Sequence, residues 1–293
     1  MPTGGRPTVR SRRLGAALRV YREAAKLDQQ HAADHVAGSK TKISRIETGQ
    51  VAARPGDVRL LLELYGVEDR GVCQQLEQLA RAANRRGWWL DFPWAPSDKR
   101  YADVLTLETD ATYIRTWQPL FIPGLLQTDE YLKALHEASL TVYTAEQTDE
   151  MIAIRQARRK LVEEGGCQLA AIIWEPALTA PMSNSRTHLE QLQHIRDVAE
   201  RQNVSIQVLP LSEWGAAHMT SHFAMYSFGP EPAPEAVAYD TTTSSVVLED
   251  FDDMAKHARI FEALRSSALT PTNTMAFLAK AIDDIPDTQK ESA

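Results

Sequence analysis

Apolar positions recur at helical spacing through the first third of the chain. Leu14, Leu18 and Tyr21 stand at i, i+4 and i+7, which places them on one helical face. Asp28 predicts the N-cap of a short second helix. Ser39 precedes a third with Ile43 and Ile46 turned inward, and Pro55 opens a fourth carrying Leu60, Leu61 and Leu64. A fifth is expected from about Asp69 to Arg85, with Leu76 and Leu79 on its apolar face. The stretch GWWLDFPW, residues 87–94, then holds three tryptophans and a phenylalanine. That density of large apolar rings predicts a hydrophobic seam, not a flexible linker.

The pattern changes after residue 100. Tyr101 to Trp117 is expected as a helix that breaks into a strand near Tyr113, and Pro119 and Pro123 interrupt it. Thr128 caps a helix to about Glu137, and a long helix follows over about Ala145–Glu164, ended by Gly165-Gly166. Strand-like runs appear at Gln168–Trp174, Ser205–Leu209, His222–Phe228, Ala236–Tyr239 and Ser244–Leu248. A helix over about Arg186–Gln202 separates the first two, and helices at about Phe251–Ser267 and Thr272–Asp283 close the chain. This order predicts an α+β protein: an N-terminal all-α domain of five helices, then a larger α+β domain with a mostly antiparallel or mixed sheet. The expected boundaries are a basic flexible arm over 1–12, a helical domain over 13–85, a Trp-rich connector over 86–98, the α+β domain over 99–284 and a tail over 285–293.

Charge adds a function to this division. The net charge of −7 speaks against nucleic acid, but its distribution does not. Residues 1–60 hold twelve Lys and Arg against five Asp and Glu, a surplus of +7, so the remainder carries −14. A basic head can meet phosphates while an acidic body is repelled by them. Cys73 and Cys167 are far apart, in no ligand-like spacing, and read as small buried hydrophobes of a chain expected in the cytoplasm. No apolar run approaches the ~18 residues of a membrane span.

The segment KLDQQHAADHVAGSKTKISRIETGQ, residues 26–50, is the informative one. Asp28-Gln29 open a helix, small Ala33 suits a close helix crossing, and Ala37-Gly38-Ser39 form a turn. Gly49 ends the third helix after Ile46-Glu47-Thr48. On these residues the segment resembles the Xre (lambda-repressor-like) helix-turn-helix. The resemblance implies that helix three enters the major groove with Lys40, Thr41, Ser44 and Arg45 on base edges. Gln29, Ser39, Lys42 and Arg54 are then expected at phosphates, with Arg10, Arg12 and Arg13 as an arm on the adjacent backbone or minor groove. It also implies a structural pair of Arg22 with Glu47. The turn departs from the pattern, because Ala37 stands where a glycine is usual, and a shift of the turn by one residue stays open.

Residues 114–128, IRTWQPLFIPGLLQT, together with Arg155 and Arg158, Gln207 to Pro210, Phe223 to Phe228 and Phe261 to Leu264, carry a second resemblance. They are similar to the C-terminal domain of the WhiJ-like group of regulators of filamentous bacteria. That resemblance implies a regulator whose gene often neighbours one for a small partner protein, in some members as an antitoxin with its toxin. Arg155 and Arg158, three apart on one helical face, are candidates for an acidic ligand or partner, or else for a solvated face or for salt bridges to the many acidic residues nearby. Trp174, Trp214, Tyr226 and Phe228 could line a pocket or fill the core.

No catalytic residue, cofactor or metal site is expected. His218 and His222 are four apart but lack the glutamate of a zinc-protease helix. Asp250, Asp252 and Asp253 precede a helix and suit its cap. The expected function is a sequence-specific, double-stranded-DNA-binding transcriptional regulator, dimeric and autoregulatory. Its acidic domain senses a partner protein or a ligand. The alternatives are an antitoxin-like protein that chiefly neutralises a small partner, and a small-molecule-sensing repressor.

Overall fold

A computed structural model describes residues 8–85, 87–92, 99–164, 166–180, 184–229, 233–241 and 244–286. It divides into two compact units, Met1–Leu90 and Asp91–Ala293, with the boundary inside the Trp-rich connector.

The first unit holds helices α1 (Val9–Ala24), α2 (Gln29–His35), α3 (Lys40–Glu47), α4 (Pro55–Leu64) and α5 (Arg70–Ala83). Side-chain caps set where they start. The hydroxyl of Thr8 and that of Ser11 form a reciprocal capping box on α1. Asp28 accepts from the amides of Gln30 and His31, Ser39 from that of Lys42, and Asp69 from those of Gly71 and Val72. The inward residues Leu14, Leu18, Ala33, Ile43, Ile46, Val58, Leu61 and Leu76 join one buried cluster. Leu60 and Leu79, expected inside, are exposed and half-buried respectively. α1 begins at Val9, so the arm expected over 1–12 gives way to helix from that residue; Met1–Pro7 lie outside the described residues.

The turn between α2 and α3 resolves the open register. Ala37 itself takes φ +48°. The Gly38 amide reaches back to Ala33 O at 2.8 Å and the Ala37 amide to Asp34 O at 3.2 Å, the paired bonds of a Schellman helix end. The turn is unshifted, and an alanine holds a left-handed position that costs an L-residue about 1–2 kcal/mol. Ala37→Gly is therefore expected to raise the stability of this unit by about 1 kcal/mol. A denaturant midpoint that falls instead would show that the alanine is not strained.

Two glycines let α1 lie on the end of α3. A Cβ at Gly15 would stand 2.2 Å from Ile46 O and 2.7 Å from Glu47 O. Gly49 has φ +71°, and a Cβ there would stand 2.7 Å from the Arg12 backbone. The Ser11 hydroxyl completes the junction by donating to Gly49 O at 2.8 Å. In the connector, Trp88–Asp91 form a 3-10 turn in which Trp89 is buried and meets Trp88 edge-on at 5.8 Å. Trp94 lies outside the described residues.

The second unit carries a six-stranded mixed sheet ordered β3-β2-β1-β4-β5-β6. Its strands are β1 (Tyr113–Gln118), β2 (Gln168–Trp174), β3 (Val204–Leu209), β4 (Phe223–Ser227), β5 (Ala236–Thr241) and β6 (Ser244–Leu248). β1, β2 and β3 run parallel, and β4, β5 and β6 continue antiparallel from β1. α6 (Lys99–Asp110) precedes β1. Helices α7 (Asp129–Glu137) and α8 (Ala145–Glu163) link β1 to β2, and α9 (Glu175–Thr179) and α10 (Ser185–Ala199) link β2 to β3. A short α11 (Trp214–Ala217) precedes β4, and α12 (Phe251–Ser267) and α13 (Pro271–Asp283) close the chain. This is the α+β arrangement with a mixed sheet that the chain order predicts. Its parallel half and the central place of β1 are findings of the structure.

Alternation along the strands sorts side chains between two faces. Trp117, Ile172, Phe223, Met225 and Val237 pack with Phe261 and Leu264 of α12. Ile114, Thr116, Ala224 and Tyr226 point to the opposite face, where they border a groove described below.

Candidate DNA-binding face and a groove in the second unit

Helix α3 is amphipathic, and its inner residues fix what its outer ones present. Ile43 and Ile46 are buried, whereas Lys40, Thr41 and Arg45 are exposed and Ser44 half-buried. Lys40 with Ser44, and Thr41 with Arg45, are each four apart, so all four share the outward face of the first turns. The end of α3 is locked by a buried network. Arg22 Nε donates to Glu47 Oε1 at 2.6 Å and Nη2 to Oε2 at 3.0 Å, while Nη1 donates to Leu27 O at 2.8 Å. The Gln29 amide donates to Glu47 Oε2 at 2.9 Å. The Arg22–Glu47 pair expected from the motif is thus formed, and it ties α1, α2 and α3 at one point.

Several residues expected at phosphates have other work. The Gln29 side chain is taken by Glu47, and the Ser39 hydroxyl caps α3. Lys42 Nζ lies 2.7 Å from Asp57 Oδ2 of α4, so its charge is already partnered within the unit. Arg10 is buried and donates to Ala82 O of α5 at 3.2 Å. With Arg12 and Arg13, it lies within α1 and not on a flexible arm. Helix capping at Thr8 drew these arginines into regular structure. Arg54 is exposed at the start of α4.

In the second unit, a groove of about 790 Å³ opens on the sheet face bordered by Thr116 and Tyr226. Its walls come from α6, the corner before α7, and α8. The corner is built by sequence: Leu125 and Leu126 are buried, and Thr128 caps α7. Gln191 of α10 clamps it, donating to Leu126 O at 2.7 Å and accepting from the Thr128 amide at 2.8 Å.

Arg158 proves to be a buried structural residue and not a solvated one. Its Nε and Nη2 each donate to a Glu108 carboxylate oxygen at 2.6 Å, and Nη1 donates to Tyr101 Oη at 3.1 Å. Burial opposes its charge, but Glu108 outweighs this and raises its pKa well above the ordinary arginine value. Arg155 borders the same groove and packs against the corner. A Cβ at Gly124 would lie 2.0 Å from its Nη1.

Among the pocket candidates, Tyr226 borders the groove. Trp174 and Trp214 meet His218 edge-on elsewhere, at 6.3 and 5.6 Å, and Phe228 is half-buried beyond β4. His218 Nδ1 lies 2.7 Å from Trp214 O, and Asp250 caps α12 through the Asp252 amide. Both cysteines are free, and burial followed by the Glu108 charge pushes the Cys167 thiol up to about 11. Among the described residues no helix is long and apolar enough to cross a membrane.

Burial holds the imidazoles of His136, His188 and His194 below their ordinary value, and nearby Arg155 adds to this at His136 and Arg159 at His194. The unfolded chain therefore takes up protons at these groups before the folded unit does. Stability contributed by the neutral imidazoles is expected to fall as pH drops below about 6.5. A melting series from about pH 7.5 to about 5.5 checks the sign, and the drop should shrink in His194→Gln. A midpoint that stays flat or rises on acidification contradicts it.

A family model described as a domain of unknown function, DUF5753, matches residues 101–280, more than half of the 293-residue chain. The chain belongs to the DUF5753 family. A helix-turn-helix domain model matches residues 13–72, from within α1 through α4 to the start of α5. No curated protein and no solved structure matches the chain. The helix-turn-helix marks this DUF5753 protein as a DNA-binding regulator. Glu108, Gln127 and Gln191 were not legible as site residues. Their partners lie 50, 5 and 65 residues away, and only Gln127 falls within a motif noted in the sequence.

Proposed function

We propose that the chain is a sequence-specific transcriptional regulator of the Xre type that reads the major groove with Lys40, Thr41, Ser44 and Arg45. The single observation that carries this is the outward face of α3, which presents two cations and two hydroxyls on a helix pinned by Arg22, Glu47 and Gln29. Arg45 suits guanine O6 and N7, and the Thr41 methyl suits thymine. Arg54, exposed at the start of α4, is left as the phosphate contact. Selection of bound fragments from genomic DNA, followed by footprinting, tests the reading. A discrete, partly palindromic site near the protein's own gene is expected of an autoregulating dimer, and binding blind to sequence would overturn it. Light scattering on the purified chain tests the dimer.

Arg45→Ala is expected to weaken binding to the selected site by about 1–3 kcal/mol and to relax preference at one base pair. Arg54→Ala should weaken binding to all sequences alike and reduce the salt slope by about one. Fluorescence anisotropy on the selected site and on a scrambled duplex separates the two. Equal losses on both duplexes for Arg45→Ala would remove it from base reading.

The second unit is read as the receiver of a signal. A small partner protein, as for an antitoxin, is favoured by one surface feature: Leu211, Trp214 and Met219 are exposed within one short segment, with Trp214 63% exposed. Exposed apolar groups gathered in this way suit a protein contact. Co-expression with a neighbouring short gene product, followed by purification on the regulator, tests this; the exchange of Trp214 for Ser should abolish retention.

A further inference from the structure

Helix α3 does not offer all of its cations to a partner. It carries Lys40, Lys42 and Arg45. Lys40 and Arg45 are exposed and form no ion pair among the described residues. Lys42 Nζ, in contrast, lies 2.7 Å from Asp57 Oδ2 in the first turn of α4. At about 100° per residue, Lys42 stands on the flank of α3 beside Arg45, between the outward face and buried Ile43. A helix laid in the major groove turns its flanks to the phosphate backbones on either side. A cation at this position is therefore placed for a phosphate.

The lysine is held along its length. Its stem crosses the turn between α2 and α3, where a Cβ at Gly38 would stand 3.1 Å from Lys42 Cδ. Its end meets a carboxylate whose side chain is 17% exposed, and the lysine side chain itself is 38% exposed. The pair thus sits at the surface, where another anion can reach the ammonium. Arg54 stands three residues before Asp57 and is exposed at the start of α4. The same end of α4 therefore presents one cation to a phosphate and withholds another.

We propose that Asp57 is an internal competitor of DNA phosphate, which occupies Lys42 and so holds down the affinity for every duplex by one phosphate contact. The proposal deepens the reading of α3 as the DNA-reading helix and rests on it. Carboxylate and phosphate oxygens are alternative acceptors for the same ammonium. The carboxylate is already at hand in the free protein, 2.7 Å away. A phosphate must displace it and gains only the difference between the two contacts. Without Asp57 the contact of Lys42 would carry the full release of the counterions that the phosphate holds. Asp57 is a positioning residue in this scheme: it acts on DNA through Lys42 and touches no base.

The test is anisotropy titration of the full chain on the selected site and on a scrambled duplex, over a salt range of about 50 to 200 mM. Asp57→Asn should raise the affinity for both duplexes about five- to tenfold at ~0.1 M salt and steepen the salt slope by about 0.9. In the double variant Asp57→Asn/Lys42→Gln the gain and the extra slope should both vanish, which assigns them to the lysine. Glu63→Gln removes the same charge from an exposed site at the far end of α4 and should keep the parent's slope. A gain that persists in the double variant, or an equal one in Glu63→Gln, overturns the proposal in favour of general repulsion between the unit and DNA. A weaker affinity in Asp57→Asn, with a lower melting midpoint, overturns it in favour of a brace between α3 and α4. Absence of DNA binding by the folded parent would overturn the regulator itself. Binding by the parent beside an unchanged slope in Asp57→Asn would overturn this proposal alone.

Discussion

Glu47→Ala is expected to destabilise the first unit by about 3–5 kcal/mol, because it strands a buried guanidinium. Arg22 is 8% exposed. Without Glu47 it keeps the Leu27 carbonyl at 2.8 Å and a long contact of 3.5 Å to Glu23. Gln29 loses its acceptor at the same time. Against the ~5–15 kcal/mol that holds a domain together, this is a large part of the whole. Hydrogen exchange resolved by peptide is the suitable measurement, since a single melting curve would mix the two units. Amides of α1 to α5 should exchange faster in the variant, and those of β1, β2 and β3 should keep the parent rate. DNA affinity should fall with the folded fraction, on selected and scrambled duplexes alike, in contrast to Arg45→Ala. A variant that loses DNA binding with exchange unchanged would mean that Glu47 acts at the interface and not through the helix it holds.

The same residue shows what was legible in the chain and what was not. The first unit is built from local rules: caps at Asp28, Ser39 and Asp69, apolar residues at helical spacing, and a turn between two short helices. Each acts within a few residues, so sequence carries it. The strands at Gln168–Trp174 and Ser244–Leu248 were legible for the same reason, with apolar runs bounded by turns. The hidden part is what long-range packing imposes. Nothing local says that Lys42 will meet Asp57, or that Gln29 will spend its amide on Glu47. Cations at the right end of a motif look available for phosphate until their partners are placed. Arg10, Arg12 and Arg13 failed as an arm for a more ordinary reason: Thr8 and Ser11 form a capping box, a signal present in the sequence that starts the helix before the apolar periodicity does. In the second unit, Arg155 and Arg158 sit one turn apart on α8, and Arg158 is tied up by Glu108 of α6. Periodicity places both on a face but cannot say which carboxylate, 50 residues earlier, Arg158 will meet.

The buried Arg158–Glu108 pair leads to the other large effect. Glu108→Ala is expected to destabilise the second unit by about 3–5 kcal/mol, the cost of leaving Arg158 charged and buried without its carboxylate. Glu108 and Arg158 are 4% and 6% exposed, so solvent cannot replace the lost carboxylate. The pair need not be stabilising in itself. Desolvating two ions consumes much of their attraction, and apolar replacement of both partners is often neutral or better. The double variant Glu108→Leu/Arg158→Met should therefore recover most of the loss. Denaturant unfolding of the parent, the single and the double variants, followed by hydrogen exchange at β1 and β2, separates the possibilities. Recovery in the double variant means that Glu108 serves to hold the charge of Arg158. If the double variant stays as unstable as the single one, the pair instead supplies the packing between α6 and α8, and the groove's shape depends on it.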